Sequence, residues 1–178
     1  MGLDPGYGSS AFGVVVTQWT DDHIQVLHAE EYDRPDYNAM LDTVYQLMSK
    51  YQVDKTYVDA SSPSFIKSLK LRIGEKADYL EEIDRLKKEG FGGDDGTKDM
   101  KIVPVNFAKE HKSLLGHAKM ILEQEPCKIA INPKFEKLVV ALRTAVENDG
   151  SLDKEVTSHN DVFDAFRLAL KFYNFREN

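Results

Sequence analysis

The chain has 178 residues, of which 42% are hydrophobic and 30% charged, and its formal net charge is −7. This length fits one domain around a single core, and the composition is that of a globular protein, not of a disordered or fibrous one. The apolar runs, such as Phe12 to Val16, are all far shorter than the roughly 20 residues of a membrane span. The first residues also lack the basic start and apolar stretch of a signal peptide. We therefore expect neither a membrane helix nor a secretion signal.

An acidic total argues weakly against a protein that coats nucleic acid, because phosphates are neutralised by clustered Lys and Arg. The excess of acidic over basic side chains is confined, however, to residues 1–59, which hold 3 basic and 10 acidic side chains. Residues 60–178 hold 20 of each. The acidic charge thus does not exclude DNA, but it predicts weak, salt-sensitive binding by this domain alone. Cys127 has no intrachain partner for a disulfide, which indicates a reducing, intracellular setting.

The first 59 residues predict the element order βββαβ. A first strand ends at Asp4, a β-branched and aromatic run forms a second over residues 12–19, and alternating apolar residues form a third over 24–29. Apolar side chains recur at helical spacing over residues 38–51, and a short strand over 56–59 ends on a carboxylate. Only three residues precede Asp4, so we expect the natural chain to continue upstream; the alternative is a very short first strand.

The remainder of the chain predicts helices alternating with short strands. Ser64 is the expected N-cap of the first of these helices, and the Gly-rich residues 90–99 are expected to form a mobile loop. Strands are expected over residues 101–106 and 128–131, and helices over 64–71, 75–88, 110–123, 135–147 and 160–172. The whole pattern predicts one α/β domain with a mixed sheet.

Acidic side chains fall at the ends of these predicted elements. Asp4 and Asp59 end strands, and Asp161 and Asp164 are three apart on the first turn of the last helix, so they share one face. If the first and fourth strands are parallel neighbours, all four carboxylates can meet at one sheet edge. Clustered carboxylates repel one another, and Mg²⁺ or Mn²⁺ would relieve that repulsion. Taken singly, each residue has an ordinary alternative as a turn residue or as an acid favoured at a helix start.

Several segments together resemble one known family. They are Gly-Leu-Asp-Pro-Gly-Tyr-Gly over residues 2–8, Tyr-Val-Asp-Ala over 57–60, Val-Pro-Val-Asn-Phe over 103–107 with His111 and Lys112, the stretch 128–139, and Ser-His-Asn-Asp-Val-Phe-Asp-Ala over 158–165. On the basis of these segments, nearly the whole sequence resembles the C-terminal nuclease domain of the large terminase subunit of tailed bacteriophages or archaeal viruses. That domain is a member of the ribonuclease H-like superfamily.

This resemblance implies a ribonuclease H-like sheet of three antiparallel strands followed by parallel ones, flanked by helices. It also implies an endonuclease that binds two Mg²⁺ or Mn²⁺ ions and cuts double-stranded DNA. Asp4, Asp59 and Asp164 carry over as catalytic metal ligands, and Asp161 matches the preceding acid of the family's His-Asp-Asp-x-x-Asp-Ala ending, where Asn160 replaces one acid. The corresponding hypothesis is phosphodiester hydrolysis in which one ion activates water and the other stabilises the departing 3′ oxygen.

The resemblance further implies an upstream ATPase motor domain, a portal and a small terminase subunit as partners, and action in the cytoplasm of an infected host cell at the procapsid. No Gly-x-x-x-x-Gly-Lys-Ser/Thr motif occurs in the chain, so no nucleotide hydrolysis is assigned to it. We expect the isolated domain to be a monomer.

Basic residues suggest where DNA would bind. Lys67, Lys70 and Arg72 form a basic run shortly after Asp59 and are candidates for phosphate contact. His111 and Lys112 are further candidates, with an ordinary solvated helix start as the equal alternative. No base-reading element is visible, so sequence preference is expected to be low. His159 is expected to help cap the last helix.

Three other functions fit part of the pattern. Holliday-junction resolvases share the acidic pattern, although residues 103–112 match terminases better. Actin-like and sugar-kinase ATPases have a similar Gly-rich first turn, here residues 4–10, but also a second domain and a second phosphate loop. A non-catalytic ribonuclease H-like module is the third alternative, against which the full set of acids argues.

Overall fold

A six-stranded mixed sheet forms the centre of the protein. The computed structural model describes residues 1–6, 10–20, 23–73 and 100–173. The strands of this sheet are β1 (Gly2–Asp4), β2 (Phe12–Trp19), β3 (Ile24–Tyr32), β4 (Lys55–Asp59), β5 (Lys101–Val105) and β6 (Ile129–Ala130). They lie in the order β5-β4-β1-β2-β3-β6. Strand β2 is antiparallel to both of its neighbours, β1 and β3, while β4 joins β1, β5 joins β4 and β6 joins β3 in parallel, as the predicted mixed sheet requires.

Helices cover both faces of the sheet. They are α1 (Tyr37–Lys50), α2 (residues 63–73), α3 (Phe107–Leu122), α4 (Glu136–Thr144) and α5 (Asn160–Leu170). Buried side chains of α1 and α2 form one core with Leu3 and Val14, and those of α3, α4 and α5 form another core with Val15 on the opposite face. None of the helices in the described part of the chain combines the length and apolar character needed to cross a bilayer.

Helix α5 packs unusually closely on the middle of the sheet. All of its residues from Val162 to Leu170 are buried. A Cβ at Gly2 would lie 2.5 Å from the backbone nitrogen of Ala169, and a Cβ at Gly13 would lie 2.9 Å from that of Val162. Real Cβ atoms essentially never come this close to other atoms, so only glycine at both positions lets the helix lie across β1 and β2. The two glycines thereby allow the start of α5 to lie beside the end of β1.

Two helix starts differ from the prediction. The carbonyl of Ser62 accepts the first helical bond of α2 from Ile66 N (3.1 Å), so the prediction of Ser64 as the N-cap is wrong. Pro63 takes the first helical position, where its missing N–H costs nothing. Helix α3 begins three residues earlier than predicted because the Asn106 side chain accepts a hydrogen bond from the backbone N–H of Lys109 (3.1 Å). The predicted helix over 75–88 and mobile loop over 90–99 lie outside the described residues.

The structure contains a small hairpin that was not predicted from the sequence. The helix predicted over 135–147 ends at Thr144, and strands β7 (Glu147–Asn148) and β8 (Ser151–Leu152) pair antiparallel after it. The two residues between them, Asp149 and Gly150, have φ values of 51° and 76°. An Asp-Gly pair is a strong signal for such a two-residue turn and would have located the hairpin. The segment after the hairpin lies close to the start of α5, where Lys154 contacts Asp164.

Candidate active site

The first two predicted acids lie side by side at one sheet edge. Strands β1 and β4 are parallel with Gly2 opposite Tyr57 and Leu3 opposite Val58, so Asp4 and Asp59 are the next pair in register. Neighbouring strands are about 4.8 Å apart, and side chains two residues apart share a face. Gly2 packs against α5, and Asp4 therefore projects to the same side. The Ser61 hydroxyl donates to Oδ2 of Asp59 at 2.6 Å and its backbone N–H donates to Oδ1 at 3.1 Å, which orients that carboxylate.

Helix α5 brings the second pair of acids to the first. Burial raises the pKa of Asp4 well above its usual range, and the carboxylates of Asp164, Asp161 and Asp59 raise it further, while Lys154 opposes them. Burial, and then the Glu31 carboxylate, raise the pKa of Asp161, which also shares a side-chain hydrogen bond with Asp4. The four predicted acids therefore act on one another electrostatically. We name Asp4, Asp59, Asp161 and Asp164 the acidic cluster.

Two cations neutralise Asp164, whose side chain is only 1% exposed. Arg167, one helical turn further along α5, donates from Nη2 to Oδ1 of Asp164. Lys154, which follows the hairpin, donates from Nζ to Oδ2 at 2.7 Å. Burial acts to lower the pKa of Lys154, but the carboxylates of Asp164, Asp4 and Asp161 together outweigh it and raise that pKa. The Lys154 ammonium thus lies where the carboxylates of the acidic cluster favour a positive charge.

The chemistry of the acidic cluster fits a hard divalent cation. Its donors are all carboxylate oxygens, the type that Mg²⁺ and Mn²⁺ prefer, and the lysine ammonium shows that a positive charge is stabilised among them. As the side chains are placed, no three His, Cys, Asp or Glu residues in the described ranges are arranged to hold a metal ion. Lys154 takes one oxygen of Asp164 in this arrangement, and a metal ion would have to replace it there.

Glu31, which was not among the predicted site residues, binds two groups at the start of α5. Strand β3 runs to Tyr32, beyond the predicted end at residue 29, and places Glu31 opposite Gly13 on β2. Its Oε2 accepts from the backbone N–H of Val162 at 3.2 Å, and its Oε1 accepts from Nδ1 of His159 at 2.9 Å. His159 occupies the N-cap position of α5, as expected, but its backbone is left-handed and its side chain makes no capping bond of its own. An acid on a neighbouring strand performs that role, and no local sequence signal reveals it.

The basic run on α2 lies on the other side of the sheet from α5. Lys67 and Lys70 are exposed there. Arg72 forms an ion pair with Asp42 of α1 and lies over the ring of Tyr45, with its guanidinium carbon 5.5 Å from the ring centroid. Contact of Arg72 with a DNA phosphate would require it to leave these partners. The proposed DNA contacts of all three residues remain predictions.

The second pair of DNA-binding candidates lies beside the hairpin. Nε2 of His111 accepts from the backbone N–H of Leu152 at 3.2 Å, so the imidazole is neutral at that contact and joins α3 to β8. Burial, and then the nearby Arg167 guanidinium, lower the pKa of His111. Lys112 is exposed, and a Cβ at Gly150 would lie 3.4 Å from its Cδ. The structure thus gives His111 a structural contact and leaves the Lys112 ammonium exposed near the hairpin turn.

Comparisons with known proteins agree with this architecture. The model of the terminase RNaseH-like domain family matches residues 1–171. The manganese-bound nuclease domain of the g2p large terminase from bacteriophage SPP1 is 17% identical with a TM-score of 0.62, over 96% of this chain and 83% of that one. The large terminase of a thermophilic bacteriophage is 12% identical with a TM-score of 0.62, over 96% of this chain and 38% of that one. No curated protein matches the sequence.

These structural likenesses confirm the predicted ribonuclease H-like fold. The chain spans less than half the length of the large terminase from the thermophilic bacteriophage. The family model covers nearly every residue, including all four members of the acidic cluster. The chain therefore belongs to the family of terminase RNaseH-like domains.

Proposed function

We propose that this domain is the nuclease of a large terminase subunit, a metal-dependent endonuclease that cuts double-stranded DNA during viral genome packaging. The observation that carries the proposal is the convergence of Asp4, Asp59, Asp161 and Asp164 at one sheet edge, where Asp4 and Asp161 have raised pKa values. Such an arrangement costs stability without a counter-charge, which is typical of sites that serve chemistry. The family assignment supports the terminase role.

Asp4, Asp59 and Asp164, with Asp161, are the residues that would hold two Mg²⁺ or Mn²⁺ ions. The manganese bound in the SPP1 nuclease domain supports use of a divalent cation. Bound divalent ions supply an activated water and stabilise the leaving oxygen of a phosphodiester. The chain's own residues provide the negative charge, and Ser61 orients Asp59 through two hydrogen bonds. In this proposal Lys154 releases Oδ2 of Asp164 when the site is loaded.

DNA would approach the site from the sheet edge that carries the acidic cluster. Phosphate contacts there hold the duplex without reading its bases, so we propose cleavage with low sequence preference. Lys112, exposed beside the hairpin, is the candidate phosphate contact on the α5 side of the sheet. The upstream ATPase motor, the portal and the small terminase subunit are proposed partners, and the infected cell's cytoplasm the proposed site of action.

Plasmid cleavage in Mn²⁺ or Mg²⁺ tests the proposal. We expect the parent chain to nick and linearise supercoiled plasmid, EDTA to stop the reaction, and Asp59→Asn to reduce the rate by at least about 100-fold, because the variant loses a charged ligand. Asp33→Asn is the matched control, since that side chain is 86% exposed at the end of the same sheet, and it should cleave like the parent. Cleavage that persists in EDTA would contradict the proposal. Cleavage restricted to four-way junctions would indicate a resolvase instead.

A further inference from the structure

Arg167 is a completely buried cation in the middle of α5, with 0% of its side chain exposed. Arginine is almost never fully buried unless it is paired, because removing its charge from water is costly. Its Nη2 donates to Asp164, its Nη1 donates to the carbonyl of His111 at 3.3 Å, and its guanidinium lies 4.8 and 5.4 Å from the ring centroids of Phe107 and Phe163. The guanidinium is therefore held on several sides by packed groups.

The two oxygens of Asp164 have partners of different character. Oδ1 is bound by the buried Arg167, which has no route to solvent, whereas Oδ2 is bound by Lys154, whose side chain is 50% exposed. The Lys154 ammonium also feels the carboxylates of Asp4 and Asp161. Oδ2 therefore points toward the acidic cluster, and Oδ1 points into the protein.

We propose that Arg167 is a positioning residue for Asp164: it binds Oδ1 permanently, fixes the rotamer of the carboxylate and presents Oδ2 to the acidic cluster as the oxygen available to a metal ion. This inference rests on the proposed function. Lys154 has a different task in the same arrangement, since its ammonium holds Oδ2 while no metal is bound and competes with a metal for that atom. Hydrogen-bonded partners of ligating carboxylates commonly tune metal affinity in this way.

The two cations therefore have opposite expected effects on metal binding. If each acted only through its positive charge, removing either one would make the site more negative and would strengthen binding of Mn²⁺. If Arg167 positions Asp164, its removal weakens Mn²⁺ binding, because the carboxylate is free to rotate or to take up a proton. Removing Lys154 takes away a competitor and leaves the carboxylate in place. The sign of the change at Arg167 separates positioning from simple charge repulsion.

The test is titration calorimetry of the whole chain with Mn²⁺ alone, on Arg167→Met, Arg167→Lys and Lys154→Met, with circular dichroism to measure the folded fraction. We expect Arg167→Met to bind Mn²⁺ about 10- to 100-fold more weakly than the parent. Arg167→Lys, which keeps a charge and a donor, should recover part of that loss and decides the question if the methionine variant does not fold. Lys154→Met should bind as tightly as the parent or more tightly.

Equal or stronger Mn²⁺ binding by a folded Arg167 variant would overturn the inference and leave the proposed function intact. Failure of both Arg167→Met and Arg167→Lys to fold would show that Arg167 has only a structural role, and this result would also overturn the inference. Absence of Mn²⁺ binding by the parent chain would contradict the proposed function itself, and the inference with it.

Discussion

Replacing Gly13 by alanine tests whether the close packing of α5 on the sheet sets the geometry of the acidic cluster. A Cβ there would lie 2.9 Å from the backbone nitrogen of Val162 and closer still to the carbonyl of Asp161, whereas ordinary contacts are 3.4–4 Å. Because these neighbours are backbone atoms of a buried helix, the start of α5 has to retreat by on the order of 1 Å. Overpacking of this kind costs about 1–3 kcal/mol of unfolding free energy. A shift of about 1 Å in a catalytic group costs about 100-fold in rate.

Urea unfolding and plasmid cleavage measure the two effects on the same protein. Gly116→Ala is the matched control, because that glycine lies within α3 and an added Cβ there would meet no atom within 4 Å. The control should gain about 0.5–1 kcal/mol, as alanine favours a helix interior over glycine, and should cleave like the parent. A Gly13→Ala protein with parental stability and parental cleavage would refute the argument that this close contact positions Asp161 and Asp164.

Two further substitutions address the charges of the site. Asp4→Asn should stabilise the metal-free protein at neutral pH, because burial and the neighbouring carboxylates raise the pKa of Asp4 above its ordinary value of 3.8. The folded protein then binds this proton more tightly than the unfolded chain does, so the parent loses stability as pH rises from about 4 through the raised pKa, and the variant does not. Glu31→Ala should cost about 1–2 kcal/mol of unfolding free energy through loss of the cap on α5. Glu30→Ala, which breaks a more exposed pair with Lys137, should cost less.

Urea unfolding across a pH series measures the first effect, and urea unfolding at one pH measures the second. If the difference between Asp4→Asn and the parent does not grow as pH rises above 4, Asp4 is not destabilised by its surroundings. Equal losses for Glu31→Ala and Glu30→Ala would show that the bond to Val162 does not cap α5.

Apart from the β7–β8 hairpin, the order of the described elements could be predicted from local patterns, and the meeting of the four acids follows from those patterns together with one strand pairing. Strand ends marked by Asp4 and Asp59, with a β-branched run and helical apolar spacing between them, are readable from neighbouring residues. The spacing of Asp161 and Asp164 places them on one helical face in any context. The parallel pairing of β1 with β4 then brings the acids to one edge.

The counter-charges of the site could not be predicted because they depend on contacts between distant segments. Arg167 lies in a helix whose residues are nearly all buried, where an arginine would ordinarily mark a solvent-facing position. Glu31 caps a helix that begins 129 residues later in the chain. Lys154 follows a hairpin whose first strand lies partly within the helix predicted over residues 135–147, so the position of Lys154 was not predicted. Each of these roles depends on contacts between residues that are far apart in the sequence, and a short stretch of sequence does not reveal such contacts.

Anomalous diffraction from crystals soaked in Mn²⁺ tests the central claim most directly, because it locates the ions without reference to activity. The account predicts manganese peaks at ligand distance from Asp4, Asp59 and Asp164, with Lys154 Nζ displaced from Oδ2 of Asp164. Crystals that take up manganese only away from these carboxylates, with the Lys154–Asp164 bond intact, would contradict it.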